Sequence, residues 1–215
     1  MVRAIEEAIG VLAPVYRNRA DESDLYEASL LSVCVDAVTA AGGTTLLTED
    51  GQTPSQALRF RRSPGVLASS AFTYGMASFP GTPKMLEIHL GVYVLAGVSK
   101  VPHECDVAMI ENPEAERSRR TGVYPRSRGL IAAVEAKHYD ASPSLGIGRG
   151  FLGFAREMGE KKCSLVFPSK SSTNLGALIA RRPSEAYPEL LPGSDAANRL
   201  RSRLDQAIRN WKDSL

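Results

Sequence analysis

The chain has 215 residues, 43% of them hydrophobic and 23% charged, which is enough apolar material for one compact domain. That balance argues against disorder, and no sustained heptad run supports a coiled coil. The 26 basic and 24 acidic residues leave a net charge of +2, a total that by itself gives no reason to expect a nucleic-acid binder.

No apolar run approaches the ~18 residues of a membrane span, so no membrane association is expected. Glu6 and Glu7 interrupt the place where a secretory leader needs its apolar segment. Three widely spaced cysteines, Cys34, Cys105 and Cys163, suit reduced thiols and a cytoplasmic location better than a disulfide framework.

The first predicted element is a short helix over 3–17, with Ile5, Ile9, Leu12 and Tyr16 at helical spacing and Pro14 placed to kink or shorten it. A stronger helix is predicted over 22–41. Asp21 or Ser23 can cap it, Gly42-Gly43 ends it, and Leu25, Ala28, Leu31, Val35 and Val38 form its buried stripe. Thr44–Thr48 reads as a strand. Residues 53–70 give no clear pattern but hold a basic cluster of Arg59, Arg61 and Arg62.

Strands follow in 72–79 and 86–98. In the second, Leu86, Ile88, Leu90, Val92 and Val94 alternate with Glu87, His89, Gly91 and Tyr93, the period of a half-buried strand. Another strand is expected over 104–110. The stretch 111–128 is almost free of apolar residues and is predicted to be a polar loop. It is followed by a strand over 129–139, a loop over 140–148, a helix over 149–159 and a strand over 163–169. A short strand at 175–180 and a final helix over 194–212 complete the chain. On that last helix Ala197, Leu200, Leu204, Ile208 and Trp211 share one face, turned to the core or to a dimer partner. The fold class is therefore α/β (α+β), a single domain over 1–215 with a central mixed β-sheet flanked by helices.

The residues most informative about chemistry are Asp106, Glu135 and Lys137. Asp106 begins an apolar strand, and Glu135 and Lys137 close another. Strand residues two apart share a face, so Glu135 and Lys137 point the same way. If the two strands are antiparallel neighbours, Asp106 and Glu135 converge into a hard-oxygen site suited to Mg²⁺ or Mn²⁺. An adjacent lysine can orient or help deprotonate a water, or stabilise charge on a phosphate. These parts fit metal-assisted phosphodiester hydrolysis.

This pattern resembles the PD-(D/E)xK nuclease superfamily, with its restriction-endonuclease-like fold of helix, three antiparallel strands, helix and strand. Asp106 matches the aspartate of the second core strand and Glu135-Ala136-Lys137 the E-x-K of the third, over a core of about 22–170. The resemblance implies that Asp106, Glu135 and the Ala136 carbonyl hold the metal and that Lys137 positions the attacking water. It is similar in particular to the Mrr-type restriction enzymes, in which a glutamate on the first core helix takes part. Glu27 is the best match for it, ahead of Glu6 and Glu7. Residue 105 is a cysteine where the motif commonly has proline, and no Gln-x-x-x-Tyr marks a RecB-like exonuclease. The implied function is a Mg²⁺-dependent endonuclease acting on DNA, double-stranded by expectation, in restriction or phage defence, with a homodimer or other defence subunits as partners.

Between the two acidic strands, Arg117, Arg119, Arg120, Arg126 and Arg128 surround Tyr124 and are expected to contact phosphates. Arg149 is a further candidate from the next helix. Glu104, on the same face as Asp106, is a candidate supporting carboxylate. The glycines at 148, 150 and 153 formally match a dinucleotide fingerprint but stand too far from the preceding strand. They read instead as a flexible approach to the helix. Two rival readings fit the same residues: a non-cleaving nucleic-acid-binding or assembly subunit of the same fold, and an unrelated α/β protein-interaction module.

Overall fold

A computed structural model describes residues 1–69, 72–139, 141–180 and 182–214. Ser70, the end of the segment without clear pattern, and Asp140, the start of the loop expected at 140–148, lie outside the described residues. Among the described residues, seven α-helices surround one seven-stranded mixed sheet whose strands lie side by side in chain order. Strands β1 (Thr44–Thr48), β2 (Tyr74–Ser78), β3 (Met85–Leu95), β4 (Pro102–Glu111) and β5 (Leu130–Ala136) form an antiparallel meander. Strands β6 (Cys163–Val166) and β7 (Glu185–Tyr187) then add in parallel.

The N-terminal apolar stripe folds as two helices, α1 (Val2–Ile9) and α2 (Pro14–Arg17), rather than one. The break lets the chain at 11–13 pair with Leu58, whose N–H donates to the Val11 carbonyl while its own carbonyl accepts from Ala13. Helix α3 (Glu22–Ala40) starts in a capping box: Asp21 accepts from the Asp24 N–H, and Asp24 accepts from the Asp21 N–H. It packs with α1 and α7 (Asp195–Asp213) over one sheet face, and the first core gathers Tyr26, Leu30, Leu31, Val107, Val134, Leu200 and Leu204. Helices α5 (Leu145–Met158) and α6 (Thr173–Ile179) cover the other face around Phe151, Phe154, Leu165, Phe167 and Leu175.

Four expectations are corrected. The stretch 111–128 is not a loop throughout: Asn112–Thr121 form helix α4, with Pro113 in its first turn and Gly122 at its C-cap. Its inward residues are Glu114, Ala115 and Ser118, so hydrophobic periodicity cannot reveal it. Residues 173–179 are the helix α6, because Ser172 caps it and Leu175 and Ile179 bury one turn apart. Helix α5 begins at Leu145, capped by Ser144, so the glycine-rich run lies inside the helix. There Gly148 faces Leu175 and Leu178, and an added Cβ would come within 2.5 Å of Leu175. Finally, β3 is buried on both faces, with Glu87 at 0% and His89 at 3% exposure, since α4 covers Glu87, and the 61–69 segment with Tyr74 covers His89 and Gly91 on the face expected to meet water.

Candidate active site

The site is built where β3 and β4 change faces. Leu86, Ile88 and Leu90 belong to the first core, whereas Val92 and Val94, of the same parity, belong to the second. The switch falls at Gly91, whose φ of +56° is in the left-handed region that a side chain disfavours. On β4, Val107 and Met109 lie in the first core and Cys105 in the second, so that strand turns at Asp106. Leu90 pairs with Val107 and Val92 with Cys105, which sets Asp106 across from Gly91. Val107 pairs with Val134, which sets Asp106 across from Glu135 on the other side.

Asp106 is buried, and its Oδ2 accepts the Ala136 N–H at 2.6 Å. Lys137 Nζ lies 2.7 Å from Glu135 Oε1 and 3.7 Å from Asp106 Oδ2, so the two carboxylates converge on one ammonium. The residue between them in sequence, Ala136, packs into the first core on the opposite face, as strand alternation requires. His138, also on that opposite face, meets Tyr26 of α3 with the rings tilted by 48° and their centres 5.3 Å apart.

Burial pushes the carboxyls of Asp106 and Glu135 upward, and the Asp106 charge raises Glu135 further. Glu104 rises for the same two reasons, burial and the Asp106 charge. Glu27 is raised to about 8, first by burial and then by Asp106, Asp24 and Glu104. Glu27 on α3 thus belongs to this carboxylate group. Glu6 and Glu7 do not: Glu6 accepts the Leu12 N–H and faces Arg17, and Glu7 pairs with Arg3. Burial disfavours the Lys137 charge, yet Glu135 and Asp106 hold its pKa above the ordinary lysine value, so it is an ammonium at neutral pH. As a cation it serves as a hydrogen-bond donor and a fixed charge, not as a base.

Among the described residues, no three His, Cys, Asp or Glu side chains form a ready-made metal cage. Mg²⁺ does not require one. It takes one or two carboxylates and keeps waters and substrate oxygens as its other ligands. A buried carboxylate pair whose charges repel each other fits that donor set.

The six candidate phosphate-contacting arginines divide into two groups. Arg117 and Arg126 both clamp Glu114, at 2.6 and 2.5 Å, and Arg119 forms a two-point pair with buried Glu87. Tyr124 rests edge-on against Tyr93. Arg120, Arg128 and Arg149 are exposed. Sequence reasoning missed Asp24 and the role of Arg62, whose Nε donates to Asp24 Oδ2 at 2.6 Å and ties the 59–69 segment to α3. The basic triplet at 59–62 was visible, but nothing in the sequence marked its partner 38 positions earlier. No protein-family model matches the chain, nor does any curated protein or solved structure.

Proposed function

We propose that the chain is a divalent-metal-dependent nuclease with a restriction-endonuclease-like fold, hydrolysing phosphodiester bonds in DNA. The observation that carries this reading is the convergence of Asp106 and Glu135 on the Lys137 ammonium, across two hydrogen-bonded antiparallel strands. Between α3 and α5 the meander has five strands and the helix α4, and its last three strands, β3 to β5, followed by α5 and β6, keep the order that the resemblance implies. Asp106, Glu135 and the Ala136 carbonyl would hold Mg²⁺ or Mn²⁺. Bound there, the cation supplies Lewis acidity and neutralises charge that develops at the phosphate. Lys137 holds the two carboxylates in place and offers N–H donors to the phosphate or to a water beside it. Glu27 adds a carboxyl raised to about 8, which would release its proton to water if a cation were held beside it. A role in restriction or phage defence follows from the resemblance alone.

The test is cleavage of supercoiled plasmid with Mg²⁺ or Mn²⁺ by the full chain, compared with Glu135→Ala and Lys137→Ala. The reading expects nicked or linear DNA from the wild type and at least a hundredfold loss in both variants. Equal activity in all three refutes it, because cleavage then comes from elsewhere.

A further inference from the structure

Half of the six arginines expected to meet phosphate are already paired with carboxylates. Lys137 is engaged by two carboxylates, and Arg117, Arg119 and Arg126 are spent on Glu114 and Glu87. A polyanionic strand needs neutralising charge from another surface.

Such a surface lies beside α3. A groove of about 290 Å³ opens between α2 and the 59–63 segment, with Phe72 at its side. Its rim carries Arg19, Arg59 and Arg62, its floor is Tyr16 and Phe60, and among the described residues no Asp or Glu lines it. The floor is preset: Tyr16 meets Phe60 edge-on at 5.5 Å, and the Arg59 guanidinium lies 5.5 Å from the Phe72 ring centre. The wall is also fixed. Thr73 N–H donates to the Arg59 carbonyl at 2.7 Å, and buried Arg61 donates to the Val66 and Ser69 carbonyls, which draws the segment into a closed turn. Arg62 is held by Asp24 yet keeps 43% of its side chain exposed.

The groove is joined directly to the carboxylate group. Tyr16 Oη donates to the Asp24 carbonyl at 2.9 Å, and Arg62 binds the Asp24 carboxylate. Glu27 follows Asp24 by one helical turn on α3. The groove and Glu27 are thus held by the same turn of α3.

We infer that this groove is a nucleotide-strand site, in which Arg19 contacts a phosphate, the exposed part of Arg62 adds charge beside it and Phe72 supports a sugar or base. It rests on the nuclease reading for its partner, but binding can be measured without cleavage. Arginine charge with an aromatic face is the chemistry of sequence-tolerant strand binding.

The experiment is fluorescence anisotropy of labelled single-stranded and duplex 20-mers in EDTA, over a salt series. Arg19→Glu, an exposed position, is expected to weaken affinity about tenfold and to lower the slope of log affinity against log salt by about one. Phe72→Ala is expected to cost roughly tenfold with the slope unchanged. Arg201→Glu, an exposed arginine of α7, should bind as the wild type does. The inference is overturned if Arg19→Glu binds normally, if Arg201→Glu loses binding as Arg19→Glu does, if polyglutamate competes as well as the oligonucleotide, or if the wild type binds neither DNA. Groove-dependent binding without plasmid cleavage would support the groove and refute the nuclease. Cleavage by an Arg19→Glu protein that binds normally would do the reverse.

Discussion

Substituting Glu87→Gln tests the polar network that fastens α4 to the sheet. Glu87 is fully buried and receives hydrogen bonds from Arg119 Nη1 at 2.7 Å, His89 Nε2 at 2.7 Å and Asn112 Nδ2 at 2.8 Å. Burial alone would raise its pKa, but Arg119 and His89 reverse that and hold it at about 2 against an ordinary 4.5. At about 1.4 kcal/mol per unit, the displacement corresponds to roughly 3 kcal/mol of folded-state preference for the carboxylate. Removing one partner of a buried ion pair costs about 3–5 kcal/mol, which agrees. Out of a typical total of ~5–15 kcal/mol, such a loss is large.

The sign of the pH effect follows from the depressed pKa. The contribution is complete above pH 4.5, where the unfolded carboxyl is ionised, and is lost as pH falls towards 2. His89, whose pKa is lowered chiefly by burial, acts in the same direction from about pH 6.5 downwards, since only the unfolded chain takes up that proton readily. Urea unfolding at pH 7 and at steps down to pH 3 reads both effects. The variant should lose about 3 kcal/mol at pH 7 and show a flatter profile below pH 4.5. A change below ~0.5 kcal/mol at pH 7 would refute the argument, because the network would then add nothing to stability.

Two further perturbations probe the frame around the site. Gly91→Val places a branched side chain at φ +56° with its Cβ 3.3 Å from the Arg61 Cβ, and should lower stability by ~1–3 kcal/mol in urea unfolding. An unchanged midpoint would mean that the strand kink beside Asp106 does not depend on glycine. Leu200→Ala, at a fully buried position of α7, should cost ~2–5 kcal/mol in the same assay. A surface-like cost below ~0.5 kcal/mol would show that α7 does not close the first core.

The sequence was most legible where burial follows a simple period. Helix α3 carried its capping aspartate and terminal glycines in plain view, and α7 buries Ala197, Leu200, Leu204 and Ile208 on the face that their spacing marked. The convergence of Glu135 and Lys137 followed from strand alternation, and the β4–β5 register supplied Asp106. Helix α4 was hidden because its inward face is polar: Glu114 and Ser118 bury through ion pairs and hydrogen bonds. Its local signals are Pro113 and Glu114 in the first turn, Arg119 and Arg120 in the last and Gly122 at the C-cap. Glu87 is buried by α4 and His89 by Tyr74, neither of which the alternation within β3 can reveal. Asp24–Arg62 and Glu87–Arg119 join residues more than thirty positions apart, and no local pattern encodes such pairing.

The central claim is that Asp106 and Glu135 form a single cation site. A titration of Mn²⁺ followed by electron paramagnetic resonance, with a short DNA duplex present, tests it most directly. The account predicts one bound Mn²⁺ per chain, weakened at least tenfold by Asp106→Asn and by Glu135→Gln, and unaffected by Glu7→Gln. Binding that both site variants leave unchanged, or no bound Mn²⁺ in the wild type, would contradict it.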